Sequence, residues 1–176
     1  MTRFGWVMST YVSVLAIGAS IFVHPTPRLL WNATASTPTG LYALQPVRKL
    51  HVGDLVAVRP PQTIARFLAE GGYLPQGVPL LKQVAALAGQ TVCRFRAVIT
   101  IDGSTVAAVR ERDSRGRRLP VWTGCRTLGA DELFLLNRHP DSLDSRYFGP
   151  LPVASVLGRA VPVWLNEPPP AHPAAD

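Results

Sequence analysis

Lysine is nearly missing from this chain: Lys49 and Lys82 are the two lysines among eighteen basic residues, which leaves sixteen arginines. Arginine stays protonated in a protein, whereas a desolvated lysine can lose several pKa units and act as a base near neutral pH. Lys82 stands inside the apolar run Gly77-Val-Pro-Leu-Leu-Lys-Gln-Val-Ala-Ala-Leu-Ala-Gly89, where a titrating lysine has a use that arginine cannot fill. Its position alone equally fits a plainer role on the solvated edge of an amphipathic segment, with the stem laid along apolar neighbours. Other absences narrow the field. There is no internal repeat, no C-x-x-C pair, and no ligand spacing among the four histidines at 24, 51, 139 and 172, so no metal or cofactor is expected. No G-x-S-x-G elbow exists to support a Ser-His-Asp hydrolase built on His139 with Asp141 or Asp131, and His139-Pro140 reads as a turn. Aromatics are absent from the densest basic cluster, Arg110-Glu-Arg-Asp-Ser-Arg-Gly-Arg-Arg118, which also carries acids and a glycine. Despite a net charge of +7, that cluster reads as a solvated hairpin tip, and no nucleic-acid partner is expected.

What is present favours a β-rich domain. The 176 residues fit a single domain with a proper core, and 14 glycines with 17 prolines favour many turns and short strands over a helix bundle. Leu41-Tyr-Ala-Leu44, Asp54-Leu-Val-Ala-Val58, and the stretches 91–96, 97–101, 105–109 and 132–136 read as strands, with Asp102-Gly103 as a hairpin turn. Residues 62–70 read as a short helix stopped by Gly71-Gly72. Around Lys82 the pattern is divided, because Leu80, Leu81, Val84 and Leu87 fit helical spacing.

The segment from Phe4 to Val23 holds twenty residues without a charge and is closed by His24-Pro25. At helical rise it would measure about 30 Å, the thickness of a hydrocarbon core. Arg3 on the short leading side predicts a cytoplasmic N-terminus with the rest of the chain outside. A cleavable signal is the rival reading, but Ala33-Thr34-Ala35 lies ten residues past the apolar run. The expected organisation is an anchor over residues 1–25, a domain over 26–165, and a disordered Pro-rich tail over 166–176. In an extracytoplasmic domain Cys93 and Cys125 are expected to pair as a disulfide, worth on the order of 3–4 kcal/mol in the chain-entropy model.

A neutral lysine is most useful beside a hydroxyl whose proton it can take while the oxygen attacks a carbonyl. Several serines are available, and spacing does not choose among them. Ser36 stands out locally because Asn32-Ala-Thr-Ala-Ser-Thr-Pro-Thr-Gly-Leu-Tyr42 surrounds it with small residues and follows it with Pro38 and Gly40, which set a sharp chain course. An ordinary juxtamembrane linker would look similar.

Four segments occur in the order and rough spacing of the type I signal peptidase boxes: Ser36-Thr-Pro-Thr-Gly-Leu-Tyr42, Gly53-Asp-Leu-Val-Ala-Val58, Leu81-Lys-Gln-Val-Ala-Ala-Leu-Ala-Gly89 and Ser142-Leu-Asp-Ser-Arg-Tyr-Phe-Gly149. The chain resembles that serine peptidase family, and in particular its conjugal-transfer TraF-type branch, whose pattern N-x-T-x-S-x-P-x-G-L-Y is matched from Asn32 to Tyr42. The resemblance spans roughly residues 4–163 and implies a mainly β, signal-peptidase-like domain behind one N-terminal transmembrane helix, with Lys82 on a strand. It implies Ser36 as nucleophile, Lys82 as general base and Ser142 as the hydroxyl that orients the lysine. Asp144 and Arg146 become supporting charges, and the Ser36 amide with the Thr34 hydroxyl becomes the oxyanion donor pair. The implied partner is a membrane-bound pilin precursor or other preprotein, processed at the bacterial inner membrane by a periplasmic domain; in this branch the acyl group can pass to the pilin's own N-terminus to close a ring. No cofactor is implied.

The chain departs from the general pattern at Thr37, where methionine commonly follows the nucleophile, and at Asn137-Arg138-His-Pro-Asp141, which stands for a fuller Gly-Asp-Asn-Arg stretch. Both departures favour the conjugation branch over a general signal peptidase. An autocleaving repressor of the same Ser/Lys type would carry a DNA-binding domain in place of the apolar segment. A non-enzymatic anchored component of a conjugation or secretion apparatus is the remaining alternative, in which Ser36 and Lys82 are incidental.

Overall fold

The computed structural model describes residues 2–20 and 28–166. Its elements in chain order are α1 (Arg3–Ser20), β1 (Leu29–Asn32), β2 (Gly40–Gln45), β3 (Leu55–Val58), α2 (Gln62–Glu70), β4 (Leu80–Ala86), β5 (Thr91–Phe95), β6 (Val98–Ile101), β7 (Ser104–Ala108), β8 (Gly124–Thr127), β9 (Glu132–Leu136), α3 (Ser145–Phe148), β10 (Leu151–Pro152) and β11 (Val156–Leu165), with a 3-10 turn over Val153–Ser155. The domain is mainly β with short helices, as composition indicated.

Seven strands form one antiparallel sheet in the order β1-β2-β11-β3-β4-β9-β10, and four form a second in the order β7-β6-β5-β8. Strand β4 lies inside the larger sheet between β3 and β9 and carries buried side chains on both faces, with Gln83 exposed on one of them. On one side Val56, Val58, Val84, Leu133 and Leu135 pack together; on the other, Leu81 joins Tyr42, Ala57 and Ala160. A strand buried on both faces reads as a nearly continuous apolar run, not an alternation. That is why Leu80, Leu81 and Val84 imitate helical spacing while the backbone is extended.

Several local readings hold closely. The hairpin between β6 and β7 turns at Asp102 and Gly103, whose φ values of 49° and 83° are the paired positive angles of a two-residue turn. Gly40 is required by a close approach, since a Cβ there would lie 2.1 Å from the carbonyl oxygen of Trp164 on β11. Cys93 and Cys125 are opposite one another on β5 and β8 and are joined as a disulfide.

The amino-terminal helix α1 has 18 residues and buries none of them. Among the described residues no helix is long and apolar enough to cross a membrane. The expected span from Phe4 to Val23 runs past α1, its last three residues lying outside the described ones, as does the expected tail beyond Asn166.

Candidate active site

Ser36 sits in the turn between β1 and β2, half-buried, with Thr37 buried beside it. The turn is shaped by one buried side chain. The Asn32 carboxamide nitrogen donates toward the carbonyls of Thr34 at 3.0 Å, Thr37 at 2.9 Å and Pro38 at 3.1 Å, and its Oδ1 accepts the Thr34 amide at 3.1 Å and the Thr34 hydroxyl at 2.8 Å. The Tyr42 hydroxyl donates to the Pro38 carbonyl at 2.7 Å from the strand that follows. The motif from Asn32 to Tyr42 is therefore a set of parts that satisfy a tight turn's carbonyls from within, with Gly40 letting β11 pass behind it.

Lys82 projects from β4 opposite Val56 of β3 and is 3% exposed, which removes the solvated-edge reading. Its ammonium donates to Ser142 Oγ at 2.7 Å. Burial pushes its pKa down to about 8, against an upward pull from Asp144 and with a further downward push from Arg146. At pH 7 about a tenth of the lysine is therefore uncharged, the form a general base requires.

Ser142 is buried in the loop between β9 and α3. The loop is held by Asp144 and Arg146, both buried, in a bidentate ion pair: Arg146 Nε donates to Asp144 Oδ1 at 2.8 Å and a terminal nitrogen donates to Oδ2 at 3.1 Å. Asp144 caps α3 by accepting the Arg146 amide at 3.1 Å. Arg146 also donates to the Asn137 carbonyl at 2.6 Å and reaches those of Ala108 and Pro140. From the second sheet, the buried Arg94 next to Cys93 donates to the Arg146 carbonyl at 2.8 Å.

Ser36 is linked to this assembly through its neighbours. The Thr37 hydroxyl lies 3.5 Å from the Leu81 carbonyl and accepts from Asn137 Nδ2 at 3.0 Å. One residue along the chain on either side of that junction stand Ser36 and Lys82, although the lysine's hydrogen bond is to Ser142. Thr34 is exposed, with its hydroxyl turned to Asn32.

Three residues were missed as site residues: Asn32, Thr37 and Asn137. Asn32 opened a recognisable pattern, and Thr37 and Asn137 were noted only as departures from one; their burial in an otherwise apolar interior, which would have marked them, is invisible in one dimension. His139 is exposed, its Nδ1 accepting the Asp141 amide, so it does not belong to the cluster. Among the described residues no group of three or more His, Cys, Asp or Glu is arranged to hold a metal ion.

Residues 1–165 match the family model described as signal peptidase, peptidase S26. A conjugal transfer protein TraF of Agrobacterium fabrum is 40% identical over 78% of this chain and 82% of its own length. A probable conjugal transfer protein TraF of Sinorhizobium fredii is 38% identical over 78% of this chain and 77% of its own, and one from Agrobacterium tumefaciens is 37% identical over 86% and 94%.

Proposed function

Because the chain belongs to the signal peptidase family S26, in its conjugal-transfer TraF-type branch, we propose that it is a serine endopeptidase working through a Ser36/Lys82 dyad on a conjugative pilin precursor. The observation that carries this reading is the buried Lys82, held by Ser142 and one residue from the contact between the Ser36 turn and β4. A neutral amine has two N–H groups and one lone pair. With one N–H given to Ser142 Oγ, the lone pair is kept free for the Ser36 proton.

The reaction is acyl transfer without histidine. Lys82 takes the Ser36 proton as Oγ attacks the scissile carbonyl carbon, and the negative charge moves to the carbonyl oxygen. The Ser36 amide stabilises that oxyanion together with the Thr34 hydroxyl, which turns from Asn32 to do so; one such donor is worth about 10²–10³ in rate. The tetrahedral intermediate collapses, the peptide C–N bond breaks, and Lys82 returns the proton to the leaving amine. In the second half Lys82 deprotonates a water that attacks the Ser36 ester, and Oγ leaves with the proton. An amine at the pilin's own N-terminus in place of that water gives a cyclic product.

The segment from Phe4 to Val23 anchors the domain in the inner membrane with its body in the periplasm, a compartment suited to the Cys93–Cys125 disulfide. Anchoring raises the effective concentration of a substrate that is itself membrane-bound. The test is co-expression with a pilin precursor: Ser36→Ala and Lys82→Arg each abolish processing while the protein stays folded. Full processing by Lys82→Arg sinks the dyad, and both variants acting like wild type would leave a non-enzymatic role in the transfer apparatus. Processing of ordinary secretory precursors in place of pilin would make the chain a general signal peptidase.

A further inference from the structure

The buried Asn137 has more partners than a loop asparagine needs. It follows β9 where the backbone leaves the sheet, and its carboxamide carries on the ladder: Oδ1 accepts the Gln83 amide at 3.1 Å and Nδ2 donates to the Leu81 carbonyl at 3.0 Å. Those two backbone groups flank Lys82. The second hydrogen of Nδ2 goes to Thr37 Oγ1 at 3.0 Å, beside Ser36. On its main chain, Asn137 donates its amide to Asp144 Oδ2 at 3.1 Å and its carbonyl accepts from Arg146 at 2.6 Å. Every polar atom of the residue is used, and the bonds run to the lysine's strand, the serine's turn and the ion pair under Ser142. Asn137 and Thr37 are 5% and 7% exposed, so water does not substitute for a lost partner.

From this geometry we infer that Asn137 and Thr37 form a positioning clamp that sets the spacing between Ser36 and Lys82, and that the hydroxyl of Thr37 is the clamp's point of attachment to the nucleophile turn. The inference rests on the Ser/Lys reading above. The physical reason is that Ser36 lies in the turn between β1 and β2 whereas Lys82 lies on β4, which is paired to β3 and β9 and not to β1 or β2. Sheet register therefore does not fix their separation; a cross-link does. Leaving β9 early and finishing its ladder with a side chain frees the following loop to bring Ser142 onto the lysine, while β4 stays held on both sides of it. A methyl-only side chain at position 37 leaves an Asn137 N–H unpaired and the turn untethered, and a misplacement of about 1 Å at a reacting pair costs about 10²-fold in rate.

The experiment measures kcat and KM separately for cleavage of the purified pilin precursor, using the full chain in detergent. Thr37→Val, which keeps shape and removes the hydroxyl, is expected to lower kcat by about 10²-fold with KM within about twofold, and Thr37→Ser to recover most of the loss. Asn137→Ala, which also removes the bonds to Leu81 and Gln83, should lower kcat at least as much, and the double variant no further than Asn137→Ala, because the link to Thr37 is then already cut. Thr37→Val with full kcat while Ser36→Ala is inactive overturns the clamp alone. Thr37→Ser as impaired as Thr37→Val, or losses that follow each variant's melting temperature, also overturn it in favour of a packing role. Activity retained by Ser36→Ala overturns the dyad, and the clamp with it.

Discussion

Replacing Lys82 by methionine separates the cost of burying a titratable amine from the use made of it. The side chain is 3% exposed, and its pKa falls from 10.5 to about 8 on folding. Because the folded-state pKa lies below the unfolded one, the unfolded chain binds more protons between those values, and stability rises with pH across that window. Near pH 7 the penalty is about 3 kcal/mol, and near pH 10 it shrinks to about 1 kcal/mol, each pKa unit being about 1.4 kcal/mol. Methionine keeps the length of the side chain and has no proton to lose, but it strands the Ser142 hydroxyl, at a cost of about 1 kcal/mol. Lys82→Met is therefore expected to be inactive yet more stable than wild type by about 2 kcal/mol near neutral pH, with the advantage gone near pH 10. Urea unfolding of both proteins in the same detergent at the two pH values measures this, and the difference between them cancels the other titrating groups. A Lys82→Met protein less stable than wild type by the same amount at both pH values would refute the argument, because the lysine would then not be a group folded at the expense of its charge.

Two further outcomes follow from the same geometry. With Lys82 as base, log(kcat/KM) should fall with unit slope as pH drops below about 8, leaving roughly a hundredth of the plateau rate near pH 6; a flat profile across that range would exclude a titrating lysine of this pKa. Replacing both Cys93 and Cys125 by serine opens a loop of sequence separation 32 and should cost about 3–4 kcal/mol in the chain-entropy model, read as a lower urea midpoint. Because Arg94 next to Cys93 donates to the Arg146 carbonyl, activity should fall in the double variant before the domain unfolds.

Much of the architecture was legible from local chemistry. Turn residues and β-branched stretches located β2, β3, β5, β6, β7 and β9 to within a residue or two, because a hairpin such as Asp102-Gly103 is decided by the residues in it. Helix α2 matched its expected bounds for the same reason. The strands with no local signature were β1, β8, β10 and β11, whose existence depends on neighbours far along the chain. Strand β11 alone pairs with both β2 and β3. The division over Lys82 had a similar origin: an apolar run does not say whether its two faces are covered by a helix's surroundings or by two layers of a sheet.

By itself the sequence determined the chemistry available to this protein: one lysine in an apolar run, a serine in a small-residue turn, and a serine, aspartate and arginine in a third segment, in an order shared with a peptidase family. It also determined the disulfide, through a single pair of cysteines. Only the tertiary structure decided that Lys82 is buried enough for its pKa to fall to about 8, since desolvation is a property of what surrounds a group and not of the group. It also decided the parts played by Asn32, Thr37 and Asn137. A hydrogen bond spanning a hundred residues, such as the one from Asn137 to Thr37, leaves no periodicity to read, and it exists only because a sheet brings the end of β9 to the turn that holds Ser36.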